Sequence, residues 1–275
     1  MPFQCSLLML TVSLMMLLNG CNNQQARGDA HETLNAVLWT QTSTEYAATT
    51  MQAYQLATSN LDQALVESQW TAALEQQGDY ADLPPAIILD LDQTVLDTSR
   101  YNARIILRHG SHAREHFADW CRQSTAPAIP GVKRFVDHAI KQGVAVIYVS
   151  ARRKALRDCT SRNLQTLGLP LPTQERLLLN DGTPATSKTR QRASIASQYR
   201  ILLLVGDNMD DFMSDSNTDS DTRRALVNEH AGRWGREWII LPNPMYGNWE
   251  ASLYEYDYNL PRDKRLQRLL QQLEQ

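Results

Sequence analysis

The sequence predicts an α/β fold in which a parallel sheet carries helices on both faces, extended by a mainly helical cap and a long N-terminal helical segment. Three observations predict it. Five short apolar runs, at residues 86–89, 144–149, 177–179, 201–205 and 238–241, are continuous rather than alternating, as strands buried on both faces are. Amphipathic helical patterns lie between several of them; the clearest is Val132, Phe135, Val136, Ala139 and Ile140, stopping at Gly143. Polar stretches rich in carboxylates follow directly on these runs, where an open α/β sheet binds its ligands.

The elements follow in chain order. Residues 1–20 hold no charged side chain and run apolar from about Leu7 to Leu18. As a helix that run spans about 18 Å, short of a ~30 Å hydrocarbon core, so it reads as a signal peptide. It ends Leu18-Asn19-Gly20-Cys21, which resembles a bacterial lipoprotein signal box. That resemblance implies that Cys21 becomes the first mature residue and carries acyl chains; several chains anchor a protein stably where one does not. The alternative is an ordinary cleaved signal followed by a spare thiol. No second stretch approaches spanning length, which places the rest of the chain in the cell envelope, facing the periplasm or the outside.

Residues 21–30 read as a polar tether, and 31–78 as helical. Tyr46, Ala53, Ala57, Leu61, Ala64 and Leu65 form one helical stripe, with Gly78 as its stop. A proline-containing loop leads into a core domain over 79–275, interrupted by an excursion at about 94–130 rich in Arg, His and aromatics, the predicted cap. A last amphipathic helix over 263–275 carries Leu266, Leu269, Leu270 and Leu273.

Composition limits the function. The 275 residues suffice for one large or two small domains, and 27 Lys+Arg against 30 Asp+Glu, a net charge of −3, argue against a nucleic-acid polymer as partner. The four cysteines include no CxxC pair, so neither a zinc framework nor a disulfide-dense scaffold is expected. Cys121 and Cys159 remain once Cys5 and Cys21 are set aside. An oxidising compartment allows them to pair, and their spacing does not decide it.

The chemistry gathers at strand ends. Asp90-Leu91-Asp92-Gln93-Thr94 follows the first run, Ser150-Ala151-Arg152 the second, and Gly206-Asp207-Asn208-Met209-Asp210-Asp211 the fourth. Asp90, Asp92, Asp207 and Asp211 crowded in one crevice repel one another and call for a divalent cation. An all-oxygen donor set favours Mg²⁺ over Zn²⁺, and a phosphoryl group could supply a further oxygen.

This order of DxDxT, strand-end Ser, Lys188 and GDxxxD resembles the haloacid dehalogenase (HAD) superfamily of phosphohydrolases. More narrowly, the chain is similar to class C bacterial acid phosphatases, the lipoprotein 5′-nucleotidase branch. The supporting stretches are Val37-Leu38-Trp39-Thr40-Gln41-Thr42-Ser43 with Glu45-Tyr46, the DxDxT and GDxxxD segments, and Leu241-Pro242-Asn243-Pro244-Met245-Tyr246-Gly247-Asn248-Trp249-Glu250. The resemblance implies an HAD-like Rossmannoid sheet, an acidic optimum and the outer membrane of a Gram-negative cell. It makes Asp90 the nucleophile, and Asp92 the acid that protonates the leaving alcohol and then the base that activates water. Mg²⁺ would be held by Asp90, Asp207 and the Asp92 carbonyl, with Asp211 close by. Ser150 and Lys188 would hold the phosphoryl oxygens, with Arg190 and Arg192 as rivals to the lysine. The substrates implied are phosphomonoesters such as 5′-nucleotides, whose base would stack on Tyr246, Phe117 or Trp120, with Arg152 a further substrate contact.

Two positions depart from the pattern. Gln93 stands where the family usually has Glu, and Ala151 where it has Asn. A broad phosphatase or phosphotransferase without nucleotide preference is therefore the next reading, and a non-catalytic ligand-binding lipoprotein a third. Other signals lead elsewhere. Arg108-His109-Gly110 lacks the following Arg and Pro of a phosphohistidine enzyme, and neither Cys121 nor Cys159 opens a CxxxxxR motif. His109, His112 and His116 read as a solvated cap face, and 215–226 lacks the Gly and Glu of a calcium loop.

Overall fold

The computed structural model describes residues 31–108, 110–171 and 173–274. The predicted signal peptide, the lipidation site Cys21, the tether and His109 lie outside the described residues. Among those described, no helix is long and apolar enough to cross a membrane.

Five strands, β1 (Pro85–Leu89), β2 (Ala145–Arg153), β3 (Leu177–Asn180), β4 (Arg200–Gly206) and β5 (Trp238–Ile240), form one parallel sheet in the order β3-β2-β1-β4-β5. β1 lies between β2 and β4, with Leu89 level with Tyr148 and Val205. The strand order reverses direction there, which opens a crevice beyond the carboxyl ends of these strands.

Both faces are covered, which explains the continuous apolar runs. Ile87, Leu89, Val146, Tyr148, Leu203 and Val205 meet Tyr54, Leu61, Phe135 and Leu164 on one side. Ala86, Ile88, Ile147, Ile201 and Leu204 meet Ile195, Phe212 and Trp238 on the other. Each large side chain so buried contributes roughly 1.5–3 kcal/mol. The helices are α1 (Leu34–Thr42), α2 (Thr44–Val66), α3 (Ser99–Leu107), α4 (Arg114–Arg122), α5 (Val132–Lys141), α6 (Arg157–Thr166), α7 (Lys188–Ala196), α8 (Ser220–Glu229), α9 (Asn248–Ala251) and α10 (Arg262–Leu270). Gly131 starts α5 at φ +97°, and a Cβ there would press on Tyr54 at 3.0 Å.

The N-terminal segment differs from one helix running to Gly78. Ser43 takes an extended conformation and caps α2 by accepting from the Tyr46 N–H at 3.1 Å, which separates α1 from α2. The helix stops at Val66, because the residues beyond it bond to β4 instead. Trp70 Nε1 donates to the Leu202 carbonyl at 2.7 Å, and the Ala72 N–H to that of Ile201 at 2.8 Å. The excursion folds as α3 and α4, and a Cys121–Cys159 disulfide, Cα atoms 5.7 Å apart, ties α4 to α6. Asp219 in the calcium-loop look-alike caps α8 by accepting from the Asp221 and Thr222 N–H groups. α10 is shorter than its leucine pattern, and Leu266, Leu270 and Leu273 are exposed.

Candidate active site

Asp90 directly follows β1, and its N–H donates to the Val205 carbonyl at 3.0 Å, continuing the sheet by one residue. The chain then turns tightly, with Val95 and Leu96 donating to the Leu91 carbonyl at 2.9 and 2.8 Å. Gln93 stands at φ +58°, left-handed backbone that non-glycine residues rarely adopt. Its fully buried side chain holds it there. Oε1 accepts from the N–H and hydroxyl of Thr98 at 2.6 and 2.9 Å, and Nε2 donates to the Tyr46 hydroxyl at 3.2 Å.

Asp207 follows β4, and Asp211 closes the short turn Met209–Asp211, its Oδ2 accepting from the Asn208 N–H at 3.0 Å. A Cβ at Gly206 would collide with the Asp211 side chain, so only glycine lets the two segments approach. Oxygens of Asp90, Asp207 and Asp211 lie within 4.8 Å of one another, the arrangement among the described residues that could hold a metal ion. Asn243 Nδ2 donates to Asp207 Oδ2 at 2.8 Å, and Thr94 Oγ1 to Asp207 Oδ1 at 3.4 Å. Lys188, the first residue of α7, donates to Asp90 Oδ1 at 2.7 Å and also to Asp211 Oδ1. Of its rivals, Arg190 is exposed, and Arg192 pairs with Glu75 at 2.8 Å while donating to the Asp210 carbonyl.

Burial dominates the electrostatics. It pushes the Asp90 carboxyl well above its usual range, against the pull of Lys188. It lifts Asp207 to about 7, with Asp211 adding repulsion and the Asn243 amide opposing it. Burial works against the charge on Lys188 too, but Asp211 and Asp90 outweigh it and raise its pKa. Carboxylates this crowded, offering oxygen alone, fit a hard divalent cation such as Mg²⁺.

The Asp92 side chain stands apart from this trio. Arg152 grips it with two parallel bonds, Nε to Oδ2 at 2.9 Å and Nη2 to Oδ1 at 2.7 Å. Arg152 therefore faces the second carboxylate of the motif, and it is only 4% exposed. Ser150 is buried within β2, which runs on through Ala151 and Arg152 rather than ending before them, and its Oγ accepts from the Arg152 N–H at 3.2 Å. Ala151 beside it is exposed and brings no polar group.

The aromatic candidates separate. Tyr246 is half-buried, and its hydroxyl shares a hydrogen bond with Thr98 Oγ1 at 2.9 Å. Burial, with Asp92 and Asp207 nearby, holds that hydroxyl well above its usual pKa. Phe117 is half-buried under the Arg152 guanidinium, 5.4 Å from ring centre to Cζ. Trp120, at 3% exposure, packs against Tyr101 and Phe117. His112 bonds the Tyr101 hydroxyl at 3.0 Å, with burial lowering its pKa. Spacing alone missed Thr98, Tyr46 and the role of Asn243. Asn243 sits in the C-terminal signature, but nothing in one sequence ties it to Asp207.

The family described as HAD superfamily, subfamily IIIB (Acid phosphatase), matches residues 8–249. Among solved structures, the chain is similar to the class C acid phosphatase from Bacillus anthracis with tungstate bound. The two are 32% identical with a TM-score of 0.81, over 89% of this chain and 97% of that one. A second structure of that phosphatase gives 32% identity and a TM-score of 0.78 over the same shares. The stem 31 kDa glycoprotein of Glycine max is 27% identical over 169 residues, 58% of this chain. The chain spans 58% of the length of that curated relative.

Proposed function

From the premise that this chain belongs to the acid phosphatases of HAD superfamily subfamily IIIB, we propose that it hydrolyses phosphomonoesters, 5′-nucleotides among them, through Asp90. The observation that carries this reading is the placing of Asp90 at a strand end against Lys188, Asp207 and Asp211. The tungstate bound to the Bacillus anthracis relative, a tetrahedral oxyanion like phosphate, supports it.

Asp90 attacks phosphorus as the P–O bond to the alcohol breaks, and Asp92 gives the leaving oxygen its proton. Water then attacks the aspartyl phosphate, Asp92 takes a proton back, and phosphate departs with Asp90 regenerated. Ser150 and Lys188 hold the phosphoryl oxygens, and losing a donor that meets transition-state charge costs roughly 3–4 kcal/mol. Asp90, Asp207 and the Asp92 carbonyl, with Asp211 close by, would hold Mg²⁺, which would supply charge neutralisation. Tyr246 and Phe117 offer ring faces for a base. The chain reaches a membrane surface through acylated Cys21, at the outer membrane of a Gram-negative envelope.

The test is phosphate release from an aryl phosphate and a panel of 5′-mononucleotides by a Cys21→Ser chain, with Mg²⁺ or EDTA, beside Asp90→Asn. Mg²⁺-dependent release lost in the folded mutant, and faster on nucleotides, is expected. Equal rates on all esters would leave a broad phosphatase. No release at all from folded protein would leave a ligand-binding lipoprotein. In cells, Cys21→Ser should move the protein from the outer-membrane to the soluble fraction; an unchanged distribution contradicts the anchor.

A further inference from the structure

Arg152 is buried more deeply than the carboxylate it holds: its side chain is 2% exposed, that of Asp92 21%. A guanidinium in that position costs desolvation, and four contacts offset it. Two are the parallel bonds to Asp92. Nη1 donates to Thr160 Oγ1 at 3.0 Å, and the Phe117 ring lies beneath the cation. Nη1 also approaches Cys121 Sγ at 3.7 Å. Cys121 belongs to α4 and Thr160 to α6, the helices the Cys121–Cys159 disulfide joins. A chain of contacts thus runs from the disulfide, through Arg152, to Asp92.

We infer that Arg152 is a positioning residue: it orients the Asp92 carboxyl toward the leaving-group oxygen, and the Cys121–Cys159 disulfide with Thr160 keeps Arg152 in place. The inference rests on Asp92 being the proton donor. A carboxylate on a loop turns freely about its side-chain bonds; held on both oxygens by a planar fork, it has one orientation. Lysine, a single point charge, cannot reproduce that grip.

The consequence is selective. When the P–O bond of an alkyl ester breaks, the departing alkoxide needs the Asp92 proton; the anion leaving 2,4-dinitrophenyl phosphate is stable without it. Losing the orientation therefore slows the first ester far more than the second, because general acid catalysis contributes about 10²–10⁴-fold only where a proton is required. A contact to the phosphoryl group would weaken both alike, a contact to a nucleoside would touch neither, and loss of fold would depress both alike.

The experiment compares kcat/KM on a simple alkyl phosphate and on 2,4-dinitrophenyl phosphate, together with the inhibition constant of inorganic phosphate. It uses the Mg²⁺-loaded chain, Arg152→Lys, Thr160→Val, Asp92→Asn, and the wild type with its disulfide reduced; near-UV circular dichroism checks folding. The expected result is that the ratio of the two kcat/KM values falls at least about tenfold in Arg152→Lys, and in the same direction but less in Thr160→Val and on reduction. Phosphate inhibition should change far less than that ratio. An unchanged ratio in Arg152→Lys and in folded Thr160→Val, or weakened phosphate inhibition with both esters slowed equally, overturns the inference. Asp92→Asn separates the two readings. If it too leaves the ratio unchanged, the proton-donor assignment falls; if it lowers the ratio and Arg152→Lys does not, only the positioning role falls.

Discussion

Asp207 shows what the site demands of single residues. Its carboxyl is pushed up to about 7 because burial and Asp211 both oppose its charge, and Asn243 and Lys188 relieve it only in part. A folded-state pKa above the unfolded one stabilises the protein fully below about 3.8, and that contribution is lost as the pH rises to about 7. Without metal, the thermal midpoint should therefore fall between about pH 5 and about pH 8, and Mg²⁺ should raise it more at the higher pH, where the ligands are ionised. Scanning calorimetry in EDTA and in Mg²⁺ at both pH values checks this; an equal Mg²⁺ effect at the two would contradict it. The four aspartates were legible in the sequence because each follows an apolar run at short spacing. The partners that tune them were not. Arg152 to Asp92 spans 60 residues, and Asn243 to Asp207 spans 36, distances over which one sequence carries no pairing signal. Gln93 looked like a departure from a pattern, yet in the fold it is a satisfied buried amide joining α2 to the start of α3.

Among elements, the α3–α4 segment is tied to α6 by one covalent bond. The Cys121–Cys159 disulfide closes a loop with a sequence separation of 38, for which chain entropy assigns a stabilisation of about 4 kcal/mol. Replacing both cysteines with serine should cost about that much in urea unfolding at fixed pH. A loss under about 1 kcal/mol would mean that the α3–α4 segment is held chiefly by the Tyr101, Phe117 and Trp120 packing. The strands were legible because burial on both faces makes their runs continuous. The end of α2 was not, since the alanine- and leucine-rich composition continues past Val66. What stops the helix is hydrogen bonding of Trp70 and Ala72 to β4, a strand about 130 residues away. The apolar stripe of α10 was equally visible, but periodicity reports an amphipathic helix and not whether anything covers it.

At the scale of the whole molecule, the parallel sheet is what makes the chemistry possible. With every strand running the same way, residues after β1 and β4, and those closing β2, emerge at one edge, and Lys188 enters from the start of α7. Motifs spread from Asp90 to Asn243 so converge within hydrogen-bonding distance. This convergence was legible in the sequence because each motif comes at the end of a continuous apolar run, and an open α/β sheet binds its ligands beyond the carboxyl ends of such strands. The central claim is that this edge transfers a phosphoryl group to Asp90. The most direct test quenches the Mg²⁺-loaded enzyme in acid during turnover of a 5′-mononucleotide and weighs its peptides. The account predicts one phosphoryl group on the peptide carrying Asp90, absent in Asp90→Asn. Continued turnover by Asp90→Asn, or a phosphoryl group retained only on peptides that lack Asp90, would contradict it.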